Sequence, residues 1–181
     1  MKIVANCLLY NLAWFASVWG AKQGSMWLGM LAMGALVALH MTWVPRGERW
    51  REARFLALVC LAGSLVDTGL AHLGVLRYPT SPSPWGVWFV PPWIAALWLG
   101  FGTMPRFSLG WLRGWPWPAA SVLGAVGGVL AFLGGTGIGS IAPGWGHGTH
   151  AVLALEYAIL TPLLVFGFAR IQSASSQRSG D

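Results

Sequence analysis

Two acidic residues lie inside long apolar stretches of this chain and are its clearest candidates for chemistry. They are Asp67 and Glu156, and the whole chain of 181 residues has only five acidic residues. A charged side chain at the centre of a bilayer costs about 2.5–3.5 kcal/mol on insertion scales, so such residues usually face a bundle interior or a wet cavity. We therefore predict that Asp67 and Glu156 are the catalytic groups. The alternative is that each is a structural anchor, hydrogen-bonded inside a helix bundle.

Polar residues follow Asp67 and precede Glu156, and a proline-rich segment, residues 77–92, adds aromatic ones. The residues that we expect to bind a ligand are Arg77, Tyr78, His72, His150, Trp85 and Trp93. Arranged near one membrane surface, they could hold the head group of a lipid-like molecule. The alternative for the aromatic members is an interfacial belt, because Trp and Tyr are enriched where a bilayer meets water.

The spacing of the cysteines and histidines does not predict a metal site. Cys7 and Cys60 lie in apolar stretches without a CxxC or Cys/His zinc pattern, so we interpret them as packing thiols. His147 and His150 are three residues apart and could share a metal on a helix, but Gly148 between them favours a loop. The sequence shows no nucleophile elbow and no phosphate loop, and it does not identify a cofactor.

The composition indicates that lipid is the solvent of this protein. Charged residues make up 9% of the chain and hydrophobic residues 56%, whereas a soluble domain has about 25% charged residues. The net charge of +6 comes from basic residues in short loops between apolar stretches, which fits membrane topology better than phosphate binding. We therefore predict no nucleic-acid partner.

Apolar stretches of about 20 residues, the length that a membrane-spanning helix needs, recur along the chain. We predict an all-α fold, a polytopic transmembrane bundle of six helices within residues 1–171, followed by a disordered polar tail at residues 172–181. The predicted spans are residues 3–20, 25–44, 55–76, 88–104, 118–141 and 150–171. Pro91 and Pro92 near the start of the fourth span suit a first helical turn only, so a short or re-entrant segment is the alternative there.

The basic residues predict the orientation of these spans. With six spans, one side of the membrane carries nine basic residues: Lys2, Arg46, Arg49, Arg51, Arg54, Arg106, Arg113, Arg170 and Arg178. The other side carries only Lys22 and Arg77. Because cytoplasmic loops are enriched in Lys and Arg, we expect both termini in the cytoplasm.

Small residues repeat at four-residue spacing along the fifth predicted span. Ala120, Gly124 and Gly128 form one such stripe, and Gly135 and Gly139 form another. Small residues allow helix backbones to approach closely in lipid. We interpret the stripes as packing within one subunit, and the alternative is an interface with a second copy or a membrane partner protein.

Three polar residues elsewhere in the spans are given structural roles. Asn6 and Asn11 are expected to join the first span to neighbouring helices, because side-chain hydrogen bonds between helices are common in lipid. His40, at the end of the second span, is interpreted as a packing or interfacial residue.

Several motifs of the chain resemble an uncharacterised family of bacterial inner-membrane proteins. They are the segment from Asn11 to Trp14 and Phe15, the Asp67 span leading into Arg77, Tyr78 and Pro79, residues 93–98, Ser108 with Trp111 and Leu112, the glycines Gly124, Gly127 and Gly128, and Glu156. That family is a domain of unknown function with six spans, rich in tryptophan and glycine. The resemblance covers nearly the whole chain and implies a small multi-pass protein of the bacterial inner membrane. It implies no particular catalytic or binding residue.

Three functions fit these observations. The one that we favour is binding or modification of a lipid-like apolar molecule, with membrane lipid as the expected partner, in a cavity in the outer half of the membrane. The second is a small proton-coupled transporter, and the third is a non-catalytic membrane assembly subunit. The sequence leaves open whether the protein is an enzyme.

Overall fold

The structure, a computed structural model, describes residues 1–80 and 83–176. Across this part of the chain it contains six α-helices, which confirms the predicted all-α fold. They are α1 (Lys2–Lys22), α2 (Met26–Trp43), α3 (Arg49–His72), α4 (Pro92–Phe101), α5 (Trp117–Ile138) and α6 (His147–Ser176). Two short strands, β1 (Leu76–Arg77) and β2 (Ala142–Pro143), form an antiparallel pair that joins the loops after α3 and α5.

Five helices of the described part are long and apolar enough to cross a membrane. They are all except α4, and α3 is extended by the turn before it to Arg46–His72. Large aliphatic side chains such as Leu31, Leu130 and Leu155 are exposed on their outer faces. Such apolar faces are stable in contact with lipid and not with water, so the protein is a multi-pass membrane protein.

The fourth helix is shorter than the predicted span at residues 88–104. α4 has ten residues, which at 1.5 Å per residue is roughly 15 Å, or about half of a bilayer core. Pro91 and Pro92 set its start, because proline is tolerated at the first position of a helix but not in its interior. The prediction of one continuous helix at residues 88–104 is therefore wrong.

Irregular backbone on both sides of α4 completes the passage through the bundle. At one end the Val90 N–H donates to Thr68 Oγ1 (3.2 Å), near the end of α3. At the other end the Arg106 side chain binds Glu52, near the start of α3. The chain thus runs antiparallel to α3 along nearly its whole length. Irregular backbone at membrane depth is tolerated only where protein or a cavity surrounds it.

The beginning and the end of the helical bundle lie on the same side. Asn6, near the start of α1, accepts from Ser108 Oγ (2.7 Å) in the segment between α4 and α5, and Arg113 of that segment lies over the ring of Phe168 in α6. α6 continues to Ser176, so the first five residues of the predicted polar tail, 172–176, belong to this helix. The rest of that tail, residues 177–181, lies outside the described residues.

The main stripe of small residues in α5 packs against α6 of the same chain. A Cβ atom at Gly124 would lie 2.6 Å from Thr161 Cβ, and one at Gly128 would lie 2.7 Å from Tyr157 Cβ. Both distances are far below van der Waals contact, so only glycine fits. This stripe is therefore covered within one subunit, and a second copy or partner protein would need another face of the molecule.

Adding one methyl group to the buried stripe should destabilise the protein. We expect Gly128→Ala to lower the free energy of unfolding by about 1–3 kcal/mol, because overpacking forces helices apart. Gly137 in the same helix is the matched control, because a Cβ atom added there would meet no other atom within 4 Å. Thermal unfolding in detergent should show a lower midpoint temperature for Gly128→Ala than for the wild type. Gly137→Ala should not lower the midpoint temperature. Equal midpoints would contradict the packing described above.

Candidate functional site

The Asp67 carboxyl group is bound to the indole of Trp98. Trp98 Nε1 donates to Asp67 Oδ2 at 2.7 Å, and Asp67 is 8% exposed. Gly63, one helical turn before Asp67, makes this contact possible, because the Trp98 ring lies across the space that a side chain at residue 63 would occupy. The face of α3 that carries Gly63 and Asp67 therefore packs against α4.

An aromatic chain extends from this hydrogen bond through three helices. Trp98 is stacked on Tyr157 of α6, with ring centroids 5.6 Å apart and an interplanar angle of 15°. Phe101, one turn further along α4, is in contact with Tyr157 and with Tyr10 of α1. These contacts hold α1, α4 and α6 at fixed distances around Asp67.

The Asp67 side chain forms part of the wall of a large cavity, which we call the α1–α5 cavity. Its volume is about 670 Å³, within the usual range for sites that bind small molecules. The polar or aromatic residues on its wall include Tyr10, Asn11, Trp14, Asp67, Tyr78, Trp98, Phe101, Trp111, Phe132, Tyr157 and Thr161. Along α5 the wall runs from Leu123 to Gly134, a distance of roughly 16 Å at 1.5 Å per residue.

The α1–α5 cavity opens towards lipid. Asn11 of α1, Trp111, and Leu123, Gly127 and Leu130 of α5 line it and are also exposed on the outside of the bundle. They form a rim between α1 and α5, two helices that touch each other over only a small area. The rim of the cavity therefore lies on the outer surface of the bundle, between α1 and α5.

Glu156 lies close to this site but does not line the cavity. It is 8% exposed, and neither of its carboxyl oxygens has a hydrogen-bond partner among the described residues. It is near enough to Asp67 and Tyr78 for their electrostatic fields to interact. Burial, and then the neighbouring carboxyl groups, raise the pKa of the Tyr78 hydroxyl well above its usual value, so Tyr78 remains a neutral phenol.

The predicted ligand-binding residues separate into two groups in the structure. Tyr78 lines the cavity, and Trp93 is fully buried behind it, with its ring edge-on to Tyr78 at 5.9 Å. His150 is half-buried, edge-on to Phe132. The three others, His72, Arg77 and Trp85, are exposed. Of the six predicted residues, Tyr78 alone lines the cavity.

The expectation of a loop at His147 and His150 is wrong, because α6 begins at His147. Their rings are 6.1 Å apart and tilted by 34°. Among the described residues no group of three or more His, Cys, Asp or Glu side chains could hold a metal ion.

The opposite end of the bundle holds a buried ionic network that sequence reasoning missed. His40 Nε2 lies 2.7 Å from Glu52 Oε1, and both side chains are fully buried. Arg106 Nε donates to Glu52 Oε2 at 2.8 Å, and the guanidinium also binds Glu48. Burial lowers the pKa of Arg106, but the hydrogen bonds to Glu52 and Glu48 outweigh burial and raise it, so Arg106 remains charged. His40 is thus a buried hydrogen-bond partner of Glu52 and more than a packing residue.

Asn6 supports the same segment from α1. Its amide nitrogen donates to Thr103 Oγ1 (3.1 Å), and its oxygen accepts from Ser108 Oγ (2.7 Å). The prediction that Asn6 joins helices to their neighbours is confirmed. The same prediction for Asn11 is wrong, because its amide donates to the Cys7 carbonyl of its own helix, and it lies on the cavity rim.

Comparison with protein families gives a match to the family described as "Protein of unknown function (DUF2878)", over residues 3–163. The chain belongs to the DUF2878 family. This confirms the resemblance to a domain of unknown function. No curated protein and no solved structure matches the chain.

The region that matches the DUF2878 family contains the whole candidate site. Every residue that lines the α1–α5 cavity lies between Tyr10 and Thr161, and Glu156 and the ionic network of His40, Glu52 and Arg106 lie in the same region. The rest of α6, residues 164–176, extends beyond it. The cavity is therefore built by the DUF2878 part of the chain alone.

Removing the central carboxylate of the ionic network should destabilise the protein strongly. We expect Glu52→Ala to lower the free energy of unfolding by about 3–5 kcal/mol, since it leaves a partly buried guanidinium and His40 without their shared partner. Glu48→Ala, at a more exposed partner of Arg106, should lower it by about 1 kcal/mol or less. Chemical unfolding in detergent measures both variants. A smaller loss for Glu52→Ala than for Glu48→Ala would contradict the geometry.

Proposed function

We propose that this protein binds a lipid-like apolar molecule in the α1–α5 cavity, with the polar end of that molecule at Asp67. The observation that carries the proposal is a carboxyl group on the wall of a mainly apolar cavity that opens sideways between membrane-spanning helices. Ionisable residues inside membrane proteins usually mark a site of function.

The apolar part of the ligand lies along the glycine-rich wall of α5. Gly127 leaves room there that a larger side chain would fill, because a Cβ atom added to it would meet no other atom within 4 Å. An apolar chain gains little by moving from lipid tails into an apolar cavity, because both surroundings are equally apolar. Affinity therefore depends on shape and on the polar contact at Asp67, and this makes the carboxyl group the centre of recognition.

The position of Glu156 favours binding over chemistry that uses two carboxyl groups. An acid and a base that act together must both come within hydrogen-bond reach of the substrate. Asp67 reaches the cavity, whereas Glu156 is buried behind its wall. Binding needs only the first of these groups, with Glu156 acting on Asp67 through its electrostatic field.

We further propose that the protein lies in the bacterial inner membrane with both termini in the cytoplasm. The end of the bundle that holds the start of α1, residues 44–48, residues 102–116 and the last turns of α6 carries most of the basic residues. By the positive-inside rule this end faces the cytoplasm. Asp67 and the β1–β2 pair then lie towards the outer side.

Filling the cavity should remove a bound lipid. Gly127 lines the cavity and a Cβ atom there meets nothing within 4 Å, so Gly127→Phe fills the mouth without disturbing the packing. Gly137→Phe, in the same helix but outside the cavity, is the matched control. Native mass spectrometry of gently extracted protein should show a specific co-purifying apolar molecule in the wild type and in Gly137→Phe, and about tenfold less of it in Gly127→Phe. Equal retention by all three proteins would refute binding at this site.

Labelling of single cysteines tests the proposed orientation. In a variant whose Cys7 and Cys60 are replaced by alanine, Ser83→Cys should react with a membrane-impermeant thiol reagent in intact cells. Arg46→Cys should react only after permeabilisation, because residues 44–48 lie on the basic side. The opposite pattern would invert the proposed orientation, and reaction of both in intact cells would contradict the bundle topology.

A further inference from the structure

The wall of the α1–α5 cavity carries no basic side chain. None of the described residues that line it is Lys, Arg or His, and Asp67 is its one acidic member. Arg77 is exposed on β1, and Arg113 is held elsewhere, with its guanidinium donating to the Pro105 carbonyl and lying over Phe168. A phosphate group in this cavity would therefore have no positive partner. The free energy of moving an unpaired ion out of water is several kcal/mol, and here no ion pair would offset it.

The polar groups on this wall include one carboxyl group and neutral hydroxyls. Asp67 Oδ2 accepts from Trp98 Nε1, and the Asp67 side chain forms part of the wall. The hydroxyl oxygens of Thr161 and Tyr78 are buried on the wall and lack a partner in the described part of the chain. Because buried polar atoms are nearly always hydrogen-bonded, these two hydroxyls and the Asp67 carboxyl group are the positions on the wall where polar atoms of a ligand can bind.

We propose that the cavity selects an amphiphile whose polar end donates a hydrogen bond and carries no negative charge, an alcohol or an amine, and that it rejects lipids whose phosphate would have to enter. This inference rests on the proposed function and narrows its ligand. An O–H or N–H donor at the polar end meets the Asp67 carboxyl group, and the Thr161 hydroxyl of α6 offers a second polar contact on the same wall. The aromatic rings of Trp98 and Tyr157 lie beside the polar end.

A matched series of single-chain probes tests this selectivity. Hexadecanol, hexadecylamine, hexadecyl phosphate and hexadecane have the same chain and differ only in the polar end. Dissociation constants for purified, delipidated full-length protein come from native mass spectrometry titrations, with thermal shift as an independent measurement. We expect the dissociation constant of hexadecanol or of hexadecylamine to be lower, by about tenfold or more, than those of hexadecyl phosphate and hexadecane.

Two variants separate the contributions of Thr161 and Asp67 to binding of the probes. Thr161→Val keeps the shape of the side chain and removes its hydroxyl, so it should weaken the alcohol and leave hexadecane unchanged. Asp67→Asn should weaken the amine more than the alcohol, because it removes the only acidic group on the described wall. If Asp67→Asn fails to fold, Thr161→Val still tests the polar contact.

The outcomes distinguish the proposed selectivity for the polar end from the proposed function on which it rests, lipid binding in the cavity. Binding of hexadecyl phosphate as tightly as the alcohol and the amine overturns the selectivity and leaves lipid binding intact. Binding of hexadecane as tightly as the alcohol and the amine overturns recognition of a polar end. If none of the four probes binds the wild type, the proposed function itself fails.

Discussion

The hydrogen bond from Trp98 to Asp67 is the interaction around which the bundle is organised. A carboxyl group at membrane depth needs a partner, and Trp98 supplies one from α4 at 2.7 Å. The contact requires α4 to lie directly on α3, and the missing side chain at Gly63 allows that approach. Trp98 then stacks on Tyr157 and so determines how close α6 lies. A single polar contact in this way positions three helices, and the space left between α1 and α5 is the cavity.

The short α4 is stable only because the rest of the chain satisfies its irregular ends. Lipid offers no hydrogen bonds to free backbone groups, so each break in a helix must find protein partners. Thr68 accepts from the backbone of Val90 at one end. At the other end Asn6 binds Thr103 and Ser108, and Glu52 binds Arg106. The polar side chains buried in α1 and α3 therefore serve the segment around α4, and they hold it at a fixed depth.

Charge is divided between the two ends of this arrangement. The network of His40, Glu52 and Arg106 pairs the Glu52 carboxylate with the Arg106 guanidinium and secures the segment at one end of the cavity. Asp67 and Glu156, towards the other end, have no cationic partner among the described residues. A network of paired charges is suited to structure, whereas an acidic pair beside an open cavity is suited to an incoming ligand. The same residue types thus have different roles because their surroundings differ.

The membrane class, the six helices and the small-residue stripe of α5 could be predicted from the amino-acid sequence, because they depend on composition and on spacing along one helix. Asp67 and Glu156 could also be recognised there, since a carboxyl group in an apolar stretch is conspicuous without any knowledge of its neighbours. The tertiary structure was needed to show that Asp67 reaches a cavity while Glu156 does not, and that Arg77 and Trp85 lie away from it. It also decided the pairing of Glu52 with His40 and Arg106, which are 12 and 54 residues away. Contacts between distant segments depend on how helices rotate and cross, and no pattern within a single segment carries that information.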